Sequence, residues 1–220
     1  MKTKTIKSAA FVAALAALPL FTSPAQAEGL KDLNPYVGID VQRSVYNYSN
    51  EDLGGGIVID NDTLLEDSLD GLNIHAGVRP YKHFGAELGY FRTREESKNI
   101  SAGDTVGPGL VAGTDFSTDV QIQGITLDAL GYLPLGEEER FELIGTAGLS
   151  WSKADGSLTI PGVGSASVDE SEIGFRIGGG AQVNLTDNVN VRGLARYQTA
   201  DFDGVADNAW TYALGLNYSF

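Results

Sequence analysis

His75 and His83 are the only histidines in a chain of 220 residues, and there is no cysteine. Acid–base or nucleophilic chemistry would fall to two imidazoles, with no thiol for a nucleophile or a thiolate zinc site. A hydrolytic pair needs a hydroxyl beside its base. Residue 77, two places after His75, is Gly, and residue 85, two places after His83, is also Gly. No nucleophile stands at the matching place, so no catalytic residue and no enzyme are expected. His75 reads as an interior hydrogen-bonding residue and His83 as a turn residue.

Ionised side chains offer a second chemistry. Asp40, Glu87, Glu142 and Glu172, with Arg79, Arg176, Arg192 and Arg196, each alternate with apolar neighbours along the chain. Charges enclosed on one face must neutralise one another or hold water. They would form either a structural plug or the gate of a narrow passage.

The acids outside that set crowd into four long stretches, 49–70, 93–117, 153–170 and 199–209. Together these hold 17 acids against Arg94, Lys98 and Lys153, a balance of 3 − 17 = −14. Asp60-Asn61-Asp62 with Glu66, Asp67 and Asp70 superficially suggests calcium, but the EF-hand spacing and its glycine are missing. The runs Gly54-Gly55-Gly56 and Gly178-Gly179-Gly180 lack a following Lys-Ser/Thr, so no nucleotide site is indicated. Neither a metal nor another cofactor is expected. A formal net charge of −14 excludes a nucleic-acid partner, because nothing would neutralise phosphates.

The elements that must position these residues follow from periodicity. Residues 1–27 predict a secretory signal peptide: Lys2, Lys4 and Lys7, an apolar run from Ala9 to Leu18, and an Ala25-Gln26-Ala27 cleavage site. The mature domain, 28–220, keeps 12 of the 15 bases and all 29 acids, so its charge is 12 − 29 = −17.

Period-two alternation then recurs eight times, in strands near 35–48, 71–79, 84–90, 118–133, 141–151, 172–183, 189–197 and 210–220. The fourth breaks phase between Val120/Ile122 and Ile125/Leu127, which predicts a bulge near Gln123-Gly124 and leaves the facing of Asp128 open. Connections alternate short and long, and aromatics gather in two bands. Tyr36, Tyr81, Phe84, Tyr132, Phe141, Tyr218 and Phe220 lie toward the short turns, and Tyr46, Tyr90, Trp151, Tyr197, Trp210 and Tyr212 toward the long connections. A soluble barrel would bury its apolar face and expose its charges, the reverse of what paired girdles imply. The expected fold is all-β: an eight-stranded antiparallel up-and-down transmembrane β-barrel.

The C-terminal alternation of Tyr212, Leu214, Leu216, Tyr218 and Phe220 resembles the signal read by the outer-membrane assembly machinery. Gly85-Ala86-Glu87-Leu88-Gly89-Tyr90, Gly131-Tyr132-Leu133-Pro134-Leu135 and Leu185-Thr186-Asp187-Asn188 are similar to the strand and turn wording of the outer-membrane protein β-barrel family. That family is related to the barrel of OmpA and to opacity-type surface proteins. The resemblance implies export through the periplasm to a Gram-negative outer membrane. It also implies outer-membrane lipid, lipopolysaccharide and the assembly machinery as partners. No peptidoglycan-binding domain is expected after Phe220. The expected role is structural or surface-interacting, with acidic loops outside; the alternative is a narrow porin-like channel for ions or small solutes. An eight-stranded lumen filled by side chains favours the plug.

Overall fold

A computed structural model describes residues 33–220 except 49–50, 55–56, 60–66, 108–109, 137–139 and 200–205. The expected signal peptide, 1–27, and the Asp60–Glu66 stretch lie outside the described residues. Eight long strands carry the fold: β1 (Pro35–Tyr48), β2 (Ser68–Tyr81), β3 (Phe84–Thr93), β4 (Phe116–Leu135), β5 (Phe141–Ile160), β6 (Gly164–Asn184), β7 (Val189–Thr199) and β8 (Ala206–Ser219). Each pairs antiparallel with its chain neighbours, and β8 pairs β1, so the sheet closes on itself. Closure leaves no edge within the wall, which is what a β-sheet needs to sit in hydrocarbon.

Alternation sets the two faces. Along β8, Trp210, Tyr212, Leu214, Leu216, Tyr218 and Phe220 are exposed on the outer surface, while Ala209, Ala213 and Asn217 are buried within. The same parity puts Val37, Ile39 and Val41 of β1 and Leu127 and Leu133 of β4 outside. Exposed apolar residues in this number suit a lipid-facing wall.

Three expectations are corrected. β4 has no bulge: its pairing with β5 runs unbroken from Leu135↔Phe141 to Ser117↔Thr159. Val120 and Ile122 are not out of register but turned inward, where both are buried. Tyr36, Tyr46 and Tyr132 do not join the girdles, because they share parity with the luminal residues and are buried there. Finally, 153–170 is not a loop. β5 and β6 continue as a hairpin to Ile160↔Gly164, turning through Gly162 at φ 77°.

Candidate functional site

Luminal side chains fill the barrel in layers. Arg192, on β7, stands at the centre with 1% of its surface exposed. Its guanidinium forks between two strands. Nε and Nη2 donate to Asp40 of β1 at 3.1 and 2.9 Å, and Nη1 and Nη2 donate to Glu87 of β3 at 2.6 and 3.0 Å. Asn73 donates to Asp40 at 2.8 Å, and the Tyr36 hydroxyl donates to Glu87 at 2.9 Å. The His75 Nδ1 faces Arg192 Nη2 at 3.2 Å and so accepts, which leaves Nε2 to donate to Asn217 at 2.6 Å. His75 is thus held within the network, with no hydroxyl nucleophile among its polar partners.

Beside the fork, Glu87 and Asp128 are cross-strand partners on β3 and β4. Arg176 Nε approaches Asp128 at 3.1 Å, and Arg196 Nη2 approaches Glu87 at 3.8 Å. Both Asp128 oxygens, Arg176 Nε and two Arg196 nitrogens make no hydrogen bond to protein, so water is the partner they call for.

Toward the short turns, Arg79 grips Glu142 through two bonds of 2.9 and 2.8 Å and lies 4.0 Å over the Tyr132 ring. Gln182 adds a bond to Glu142 at 2.5 Å. His83, at the β2–β3 turn, makes a 3.0 Å bond to the Tyr132 carbonyl.

Four arginines and four carboxylates therefore face one another, with Asp128 turned inward among them. Glu172 does not join them. It is paired with Ser152 above Arg176↔Gln198, where the pairing of β6 with β7 starts, and no ion pair reaches it among the described residues.

Toward the long connections the lumen turns apolar. Tyr46, Leu69, Phe91, Val120, Ile122 and Ala209 pack together across five strands, and Leu69 is wholly buried. Leu130, Tyr132, Ile144, Leu194 and Ala213 form a second cluster within the barrel. Neither was read from the sequence, although the parity of Tyr46 with Ser44 carried the signal.

Room for the arginines comes from glycine. A Cβ on Gly215 would stand 1.8 Å from Asp40 Oδ1, one on Gly148 2.3 Å from Asp128 Oδ1, and one on Gly178 2.7 Å from Arg196 Cγ. On the outer surface, Tyr218 and Phe220 meet edge-to-face at 5.3 Å, and Tyr197 and Trp210 at 5.4 Å. On the projecting hairpin, Lys153 bonds Asp155 at 2.5 Å and lies 3.5 Å from Asp169. The Asp155 carboxylate, followed by Asp169, raises its pKa above the ordinary lysine value.

A closed antiparallel barrel with an apolar exterior and a charged, filled lumen defines an integral outer-membrane barrel protein. The profile of the outer membrane protein beta-barrel domain matches residues 13–220, and the chain belongs to that family. No curated protein matches the sequence. Several solved structures share the fold. Ail, the attachment invasion locus protein of Yersinia pestis, is 17% identical over 86% of this chain and 99% of its own, with a TM-score of 0.53. Neisserial surface protein A is 17% identical over 84% and 97%, with a TM-score of 0.57. A major outer membrane protein of Thermus thermophilus is 15% identical over 84% and 99%, with a TM-score of 0.51. The place of this protein is the cell outer membrane.

Proposed function

We propose that this protein is a non-conducting surface barrel: a plugged membrane anchor that displays an acidic, sheet-rich face outside the cell. The filled lumen is the observation that carries the reading. The Arg192 fork blocks the centre, and the Leu69–Phe91 layer caps it with side chains that do not solvate ions. The short turns then face the periplasm and the long connections face outward, as secretion behind a cleaved residue 1–27 signal requires. Tyr212, Leu214, Leu216, Tyr218 and Phe220 serve as the assembly signal.

Surface interaction is supported by the β5–β6 hairpin. β6 pairs β5 from Gly164 onward, but its ladder with β7 starts only at Arg176. Thr199 Oγ1 engages the backbone of Phe175, and among the described residues no strand pairs with the other edge of 164–173, which offers backbone donors and acceptors to a partner strand. Ail has been solved with the heparin analogue sucrose octasulfate. With 17 acids against three bases in its long connections, this chain repels such polyanions and favours cationic partners.

Planar-bilayer recording of the purified wild type tests the plug: no steady conductance is expected. Steady current whose ion selectivity changes in Arg192→Ala would replace this reading with the narrow channel.

A further inference from the structure

Odd-numbered residues of β5 and β6 face outward, and their character changes at one height. Below it Trp151, Ile173, Phe175 and Ile177 are exposed apolar side chains. Above it Lys153 lies between Asp155 and Asp169, and Ser157 donates to Asp119 at 2.9 Å. The change takes a single row, from the pair Trp151↔Ile173 to the pair Lys153↔Ser171. A lipid-facing wall does not carry such a row of charges and hydroxyls, so the hairpin above Ser171 stands in water.

The Phe175 N–H donates to Thr199 Oγ1 at 2.9 Å, and the same hydroxyl donates to the Phe175 carbonyl at 3.4 Å. Phe175 thus turns both backbone groups toward β7. Successive residues of a strand turn theirs to opposite sides, so Ser165, Ser167, Asp169, Ser171 and Ile173 point the same way as Phe175. The even-numbered residues between them serve the ladder with β5. β7 ends at Thr199, and among the described residues its pairing with β6 reaches no higher than Arg176↔Gln198. Residues 165–173 therefore present a straight row of donors and acceptors over eight steps, roughly 27 Å. A strand added there in line with β7 would run antiparallel to β6 and extend the wall upward.

Charge selects what that strand can be. Residues 153–173 hold Lys153 against Asp155, Asp169, Glu170 and Glu172, a balance of 1 − 4 = −3. A second copy of the same edge would set acids against acids, and like charges directly opposite one another destabilise a strand pair. We propose that the edge of residues 165–173 takes up an extended peptide of about nine residues, antiparallel to β6, with cationic side chains at alternate positions opposite Glu170 and Glu172. Backbone bonds supply the affinity, and the two carboxylates, on one face of the strand, select the sequence. The assignment deepens the surface-interaction reading and rests on it. It specifies length, direction and charge spacing for the partner, and it excludes a second copy of this chain.

Fluorescence anisotropy tests the site, with the whole barrel in phosphatidylcholine nanodiscs and the labelled peptide Thr-Lys-Thr-Lys-Thr-Val-Thr-Val-Thr. Saturable one-to-one binding that weakens with salt is expected. Replacing both lysines of the peptide by glutamate should lower affinity at least roughly tenfold. N-methylation of the threonines, whose amides face β6 in this register, should do the same, whereas N-methylation of the lysines and valines should not. On the protein, Ser167→Pro removes a donor that β5 does not use, and Glu172→Gln removes one carboxylate; each should weaken binding several-fold. The peptide variants leave the barrel untouched, so the outcome does not hang on the folding of Ser167→Pro. No binding, equal binding of the glutamate or threonine-methylated peptide, wild-type affinity in both protein variants, or self-association of the barrel in place of peptide binding would overturn the proposal. Labelling of a cysteine at Ser165 or Asp187 on intact cells tests the orientation separately, because binding in nanodiscs does not depend on it.

Discussion

Arg192 is the keystone of the lumen, and its removal should show which carboxylate depends on it. Arg192→Met keeps much of the volume while deleting the charge and five hydrogen bonds, four to the carboxylates and one to His75. Breaking a buried ion pair from one side typically costs about 3–5 kcal/mol, because the partner is left without compensation. Here two carboxylates are left, and their remaining surroundings differ. Glu87 keeps the Tyr36 hydroxyl at 2.9 Å and Arg196 at 3.8 Å. Asp40 keeps the Asn73 amide at 2.8 Å and a neighbouring imidazole, but no arginine.

The stranded penalty therefore falls mainly on Asp40. Adding Asp40→Asn to Arg192→Met should recover about 1–3 kcal/mol, the cost of one uncompensated buried group, and adding Glu87→Gln should recover less. Guanidinium unfolding of the barrel from phospholipid vesicles, followed by the fluorescence of the wall residues Trp151 and Trp210, measures each midpoint. Equal recovery by the two rescues, or an Arg192→Met midpoint matching the wild type, would show that the fork does not carry the lumen.

Leu69 is wholly buried in the apolar cap, so Leu69→Ala should cost about 2–5 kcal/mol in the same assay and admit water above the network, read as faster exchange of luminal amides. Phe220 is 73% exposed on the outer wall, so its deletion should lower insertion into outer-membrane fractions while leaving the unfolding midpoint of the refolded barrel almost unchanged. A large drop in that midpoint would make the residue structural and not an assembly signal. Gly215→Ala places a Cβ 1.8 Å from Asp40 Oδ1 and should lower the midpoint, whereas Gly145→Ala, where an added Cβ meets nothing within 4 Å, should not. Lys153 should lose its proton above the ordinary lysine value when titrated by NMR, and Asp155→Asn should bring that titration back down. Because the cation is favoured in the fold, its tie across the hairpin is present at neutral pH and fades only as pH rises past that raised value.

The strands were legible because one side of each faces lipid, which makes alternation nearly strict over β1, β3 and β8. Parity also announced the luminal fork: Asp40, Glu87 and Arg192 all sit opposite apolar residues. What failed was height. Glu172 has the right parity, but nothing in the sequence marks where β6 outgrows its neighbour β7. Height along a strand groups Tyr36, Tyr46 and Tyr132 with the girdle aromatics, but each shares the parity of the polar, luminal residues and is buried with them. Val120 and Ile122 mimic a register fault only if the lumen is uniformly polar, and it is not. An apolar cap inside a barrel reads, along one strand, the same as a bulge.

The glycines connect these observations. Twenty-eight of them in the chain suggest flexibility when read as composition. In the barrel, Gly148, Gly178 and Gly215 lie within a few ångströms of Asp128, Arg196 and Asp40, on the same luminal face. A ring of eight strands encloses a nearly fixed volume. Four arginines fit only if other luminal positions give up their side chains. Packing at that density transmits any added methyl directly to a charged group. Among the described residues the charges of the network also cancel, four against four, so the protein's acidity resides outside it. The barrel is thus neutral where it is buried and anionic where it meets water.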